Sequence, residues 1–288
     1  MVSFGLCRPH AKETHLRPDP RPRTPRLRAH APLLAAIVLA AATLLPARPA
    51  AAAAGGTLDE LFRAHGVVAA LVVESQDGQT RYVVNRDRAG ERFSPASTFK
   101  IANTLIALDA GVVTSSDTPF KWDGTVRSVP QWNRDQTLKS AFRVSCVWCY
   151  QEIARKVGKA RYEQALSRLD YGNARVGDSV DQFWLNGDLR ISALEQIDFL
   201  RKLTAYALPY SRAQVDILRE IMRVEQTDGY AVYAKSGWSG QVGWYVGYVE
   251  LQQATWLFAF NLRVDNDDQV ALRAPLTMEA LRMLGILP

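Results

Sequence analysis

"YAVYAKSGWSGQVGWYVGYVELQQATWLFAFNLRV", residues 230–264, decides the fold. It holds three runs rich in β-branched and aromatic residues, at 230–236, 243–251 and 255–264, and each is bounded by a short polar or glycine-bearing break. Such runs read as strands joined by tight returns. Matching runs lie near the other end of the chain, where "VVAALVVES" (67–75) and "TRYVVN" (80–85) flank "QDGQ" as a hairpin. Between them, residues 112–225 show little strand pattern. They carry helical periodicity at 146–157, 159–168, 192–204 and 211–224, with loops rich in Trp, Asp and Gly. A short helix opens this part of the chain at "GGTLDELFRAHG", with Thr57 and Glu60 at capping-box spacing. "PLTMEALRMLGI" closes it as another. Strands from both ends and helices from the middle predict an α+β fold. The expectation is an antiparallel sheet flanked by terminal helices, beside a mainly helical lobe, with clefts at the seam.

The first residues have a different character. Eight basic residues and two acidic ones fall within 1–50, followed by the apolar run "APLLAAIVLAAATLLPA" and the small-residue stretch "RPAAAAAGG". This is the pattern of a secretory signal peptide, and the apolar run is short of the ~20 residues a spanning helix needs. Residues 1–54 are therefore expected to be a cleaved leader and 55–288 the functional domain, delivered to the periplasm without stable membrane association. The formal charge of +6 belongs to the leader: beyond residue 50 remain 27 basic and 27 acidic residues. Nothing then argues for a nucleic-acid partner. Cys7, His10, His15 and His30 lie in the leader, leaving Cys146, Cys149 and His65. A zinc site, which wants three or four His or Cys ligands, and a Ser-His-Asp triad are both poorly supported.

Chemistry enters at "FSPASTFKIANTLIALDAG", residues 93–111. Three residues apart in a helix, Ser97 and Lys100 share a face. A serine hydroxyl needs a base to become a nucleophile, and a lysine serves as one only when burial brings its pKa toward neutrality. Phe99 and the apolar residues after it offer that burial. Ser145 opens "SCVWCYQEIARKVG" as a second hydroxyl at a predicted helix start, and Lys235, Ser236 and Gly237 end one strand before a tight return. Gly237 permits close approach of a ligand along the strand edge. Taken singly, each reads as an ordinary cap, surface lysine or strand end.

In this order, "PASTFK", "SCV" and "KSG" resemble the motifs of the penicilloyl serine transferase superfamily, and most closely those of its class D, oxacillinase-type serine β-lactamases. "YGN" (Tyr171, Gly172, Asn173), "QFWLNGDLRIS" with Trp184, and "VALRAP" with Arg273 extend the resemblance over residues 57–288. It implies hydrolysis of a small-molecule β-lactam. Ser97 would be the nucleophile, and Lys100, carbamylated by CO₂ to N6-carboxylysine, the base, with no other cofactor and no metal. Ser145 would pass a proton to the leaving nitrogen under the influence of Lys235. The backbone N–H groups of Ser97 and Trp238 would form the oxyanion hole, and Ser236 and Arg273 would hold the substrate carboxylate. Val147, Trp184 and Gly237 would complete the substrate-binding set, in a monomer or homodimer. "GWSGQVGW" is a short return for a stretch that borders substrate in the family. The pair in "CVWC" is outside the resemblance and reads either as two packed thiols or as a structural disulfide. A β-lactam-sensing receptor would need a multi-span membrane segment, and a transpeptidase would carry Asn in the second motif and extra domains; the chain shows neither feature.

Overall fold

The strands expected at the two ends of the chain meet in one sheet. The computed structural model describes residues 57–288, so the expected leader lies outside the described residues. β1 (Ala69–Ser75) and β2 (Arg81–Val84) form the predicted hairpin. β3 (Pro119–Phe120) and β4 (Gln136–Thr137) pair separately in the middle of the chain. β5 (Arg223–Gln226), β6 (Tyr230–Ser239), β7 (Val242–Leu251) and β8 (Thr255–Arg263) follow. The six-stranded order is β2-β1-β8-β7-β6-β5, antiparallel throughout, with Ala69 opposite Leu262 and Ser75 opposite Trp256 where the chain ends join.

Among the described residues ten helices pack about it: α1 (Leu58–Ala64), α2 (Arg86–Gly90), α3 (Lys100–Asp109), α4 (Leu138–Arg143), α5 (Val147–Val157), α6 (Lys159–Leu169), α7 (Ala193–Thr204), α8 (Arg212–Met222), α9 (Asp268–Ala271) and α10 (Arg273–Met283). Side chains alternate across a strand, so neighbouring residues of β8 enter different cores. Phe258, Phe260 and Leu262 pack with Leu61 and Phe62 of α1 and with Leu276 and Leu281 of α10. Leu257 and Ala259 join Trp244, Val246 and Tyr248 of β7 against the central helices. The α+β expectation is met, with terminal helices on one face and the helical lobe on the other. None of the helices in the described residues is long and apolar enough to cross a membrane.

Local chemistry sets several boundaries. The Thr57 side chain accepts from the Glu60 N–H while Glu60 takes the Thr57 N–H, the predicted capping box, worth about 1 kcal/mol. The helix expected to reach residue 224 stops at Met222, because Arg223 turns to an extended conformation and pairs with Tyr233. All four residues of β5 are exposed, so no apolar period marks it in the sequence. Glu74, 1% exposed, is held between Arg81 and Arg201 and ties β1 to β2 and α7. A buried carboxylate survives only with such partners.

Candidate active site

The site is built at the head of α3, whose residues are buried from Lys100 to Leu108. Ser97 lies in a tight 3-10 turn, Ala96–Phe99, that runs straight into this helix, rather than in its first α-turn. Ala96 holds φ +49, a left-handed conformation unusual for a side chain with Cβ. The turn is stapled by the Thr98 N–H and hydroxyl, both donating to Pro95 O, and by the Gln196 amide donating to Thr98 Oγ1. Lys100 Nζ then donates to Ser97 Oγ across 3.0 Å. The lysine is wholly buried, its ammonium 4.9 Å from the centre of the Tyr150 ring, and burial brings its pKa from 10.5 to about 7. Trp184 is packed on Phe99 and Phe183 at 5.8 and 5.0 Å between ring centres. Its indole N–H is buried with no partner among the described residues.

Ser145 is held by the end of one helix and the start of the next. Its N–H donates to Phe142 O and the Cys146 N–H to Ala141 O, the paired bonds that close a helix with a left-handed residue after the cap. Glycine is the usual occupant of that position; here Ser145 takes it at φ +54. Ser145 is therefore the terminator of α4, and Cys146 caps α5 instead, its sulfur accepting the Cys149 N–H at 3.3 Å. The two cysteines are joined in a disulfide with Cα atoms 5.5 Å apart, which decides between the two readings of "CVWC". From this position Ser145 Oγ accepts from Lys235 Nζ at 2.5 Å. Lys235 also donates to Ser236 O, and burial first, then Lys100 and Arg273, holds its pKa far below the usual lysine range.

β6 brings the third group. It has β5 as an outer neighbour only as far as Tyr233, and beyond it Gly237 faces the Ala96–Phe99 turn. A Cβ at Gly237 would sit 3.1 Å from both Pro95 O and Thr98 N, which is why glycine stands there. The short return is confirmed: Ser239 pairs with Val242 across a two-residue turn. Hydrogen bonding alternates along such a ladder from its closing pair, so Trp238 directs its N–H away from β7, toward the free edge. Arg273, first residue of α10, donates to Gly237 O at 2.5 Å and to Val270 O. Its aliphatic stem fills the space over Gly243, where an added Cβ would lie 3.0 Å from Arg273 Cδ.

Ser97, Ser145, Val147, Ser236, Gly237, Trp238 and Arg273 line one cleft of about 380 Å³. Lys100 and Trp184, both 0% exposed, are not among its lining residues, and the Trp184 ring packs in the aromatic cluster around Phe99. Lys235, 4% exposed, borders a smaller crevice shared with Ser236. The sequence reading missed Trp132, Val129 and Arg143 on the cleft wall, and Ser94, whose hydroxyl bonds to Trp184 O and Leu185 O. A tryptophan in the polar 112–137 region was the one available sign of that wall.

A model of the penicillin-binding-protein transpeptidase domain matches residues 66–282. The chain is 42% identical over 231 residues to β-lactamase OXA-48 of Klebsiella pneumoniae, covering 79% of this chain and 87% of that protein. It is 40% identical over 207 residues to β-lactamase OXA-10 of Pseudomonas aeruginosa, covering 69% and 78%. Among solved structures, the class D β-lactamase YbXI from Nostoc superposes with a TM-score of 0.79 at 37% identity, over 81% of this chain and 100% of that one. Identity at that level over most of both chains settles the family: this chain belongs to the class D β-lactamases.

Proposed function

We propose that the protein hydrolyses the β-lactam ring of penicillin-type antibiotics through an acyl-enzyme on Ser97, with Lys100 carbamylated as the general base, and so gives resistance to them. The observation that carries this reading is the buried amine 3.0 Å from Ser97 Oγ, with its pKa brought to about 7. Only a neutral amine adds CO₂, and at pH 7 about half of such lysines are neutral. The donor set suits the product: the unpartnered Trp184 indole N–H is available to a carbamate oxygen. Carbamylation would give Lys100 an anionic oxygen that takes the Ser97 proton during acylation and a water proton during deacylation.

The remaining work falls to the chain's own groups. Arg273 and Ser236 orient the substrate carboxylate, a planar group suited to guanidinium. The Ser97 and Trp238 N–H groups face the carbonyl oxygen as charge develops on it. Ser97 Oγ bonds to the carbonyl carbon, the ring C–N bond breaks, and the nitrogen takes a proton from Ser145 Oγ, which receives in its place the proton the base took from Ser97, so the base is free again for the water. Lys235 Nζ, 2.5 Å away, donates a hydrogen bond to the Ser145 oxygen that gives its proton up. Water then cleaves the ester, and Ser97 recovers its proton. Export through the leader fits the Cys146–Cys149 disulfide, since such bonds persist in oxidising compartments.

A chromogenic cephalosporin assay on purified protein, with mass spectrometry of the trapped intermediate, tests the reading. Turnover by the unsubstituted protein and no covalent adduct on Ser97→Ala are expected. An adduct on Ser97→Ala, or acylation without turnover at saturating bicarbonate, would overturn it.

A further inference from the structure

The Cys146–Cys149 bridge takes part in no step above, yet it sits against the residues that do. It closes a four-residue ring containing Val147, a cleft residue, and Trp148. Ser145 adjoins it on one side and Tyr150 on the other, and the Tyr150 hydroxyl meets Thr104 of α3 at 2.9 Å. Both cysteines are 0% exposed, so solvent reductants have no ready access, and the bond is not placed as a redox sensor. What it does hold is the first turn of α5. The cap there is a sulfur, a weaker acceptor than the oxygen of Ser, Asp or Asn usual at that position. Next to this weakly capped turn stands Ser145 in the left-handed conformation, where a residue with Cβ is strained.

We propose that the Cys146–Cys149 disulfide is a positioning device for proton delivery: it locks the first turn of α5 and thereby holds Ser145 Oγ on the Lys235 ammonium. The proposal rests on the reading of Ser145 as donor to the leaving nitrogen. The two bonds ending α4, from the Ser145 N–H and the Cys146 N–H, tie this segment to α4 alone. The bridge ties Cys146 to the first turn of α5 as well. Reduction leaves that turn a single sulfur cap, and Cys146→Ala removes the cap too, so that only the α4 bonds then hold Ser145 at φ +54 with its hydroxyl on Lys235.

The test is a double-mutant cycle between the pair Cys146→Ala/Cys149→Ala and Ser145→Ala, read by single-turnover acylation and deacylation of a chromogenic cephalosporin. The burst amplitude, corrected for the ratio of the acylation and deacylation rate constants, gives the folded, active fraction. Removing the bridge should slow acylation about tenfold when Ser145 is present and less than about twofold in the Ser145→Ala background, with deacylation unchanged. Equal slowing in both backgrounds, no slowing in either, or a lost amplitude with an unchanged rate constant would overturn the positioning role. Wild-type acylation by Ser145→Ala alone would instead overturn the donor reading beneath it. If the double cysteine variant does not fold, the unsubstituted chain is compared as dithiol and as disulfide. The same acylation-specific slowing supports the proposal, and a dithiol form that is unfolded overturns it in favour of a purely structural bond.

Discussion

Replacing Lys100 by Met should abolish turnover and make the fold markedly more stable at neutral pH. The side chain is wholly buried, and burial alone brings its pKa from 10.5 to about 7. In the unfolded chain the amine keeps its ordinary value and its proton. Folding at pH 7 therefore either strips the proton from a group that otherwise holds it up to pH 10.5 or buries the charge, which costs about 4–5 kcal/mol at 1.36 kcal/mol per pH unit. The hydrogen bond to Ser97 returns about 1 kcal/mol, so an apolar side chain of similar length should recover about 4 kcal/mol. The sign follows from proton counts. Between about 7 and 10.5 the unfolded state binds more protons than the folded one, so stability rises with pH across that window. Below about 7 both states are protonated and this contribution is flat at its full cost. Urea denaturation of both proteins in CO₂-free buffer at pH 7, 8.5 and 10 reads the difference. The gap should be near 4 kcal/mol at the lowest pH and close to zero at the highest, as an order of magnitude. Lys235 also titrates abnormally, but it is present in both chains, and the repulsion Lys100 exerts on it disappears with the substitution. A constant gap from pH 7 to pH 10 would refute the claim that burial of this amine sets its pKa.

Other consequences follow from the same geometry. In CO₂-depleted buffer, steady-state β-lactam hydrolysis should fall as pH drops through about 7, where Lys100 gains its proton, and added bicarbonate should restore it; Trp184→Phe, lacking the indole N–H, should need more bicarbonate. Ser145→Gly should leave stability unchanged or raise it by about 1 kcal/mol, because glycine suits the left-handed position, while slowing single-turnover acylation by about 100-fold or more. Arg273→Ala should lower kcat/KM about tenfold or more for lactams that carry the carboxylate, through loss of a charge-assisted pair worth about 1.5–3 kcal/mol, and far less for an analogue without it.

How much of this was legible in the sequence depended on whether a residue's environment is set by its neighbours along the chain. The strands of 230–264 and 67–75 could be read because they are short continuous runs of β-branched and aromatic residues, buried on both faces of the sheet, and the α5 to α7 spans because their apolar residues repeat at helical spacing. β5 could not, since none of its residues is buried and only pairing with β6 makes it a strand. Ser97 and Lys100 were legible as neighbours because three residues of any helical turn bring them together. That Ser97 occupies a 3-10 turn behind a left-handed Ala96 was not, since no glycine announces it. That Trp184 packs on Phe99 and Phe183 was not legible, because the aromatic cluster it joins comes from three separate segments.

Ser145 shows most plainly why local rules fail at a working site. The bonds that end α4 call for glycine, and a hydroxyl before a helical run reads as a cap for α5. Neither rule describes what Ser145 does. Glycine would relieve the backbone but present no oxygen to Lys235, and a serine moved one place on, to the cap itself, would turn its oxygen to the α5 N–H groups instead. The residue obeys the only constraint that both alternatives break, a hydroxyl 2.5 Å from Lys235 Nζ and on the cleft wall beside Ser97. Its strained conformation is what the proposed role of Ser145 would require, and the cap it gives up is supplied by the Cys146 sulfur next in the chain.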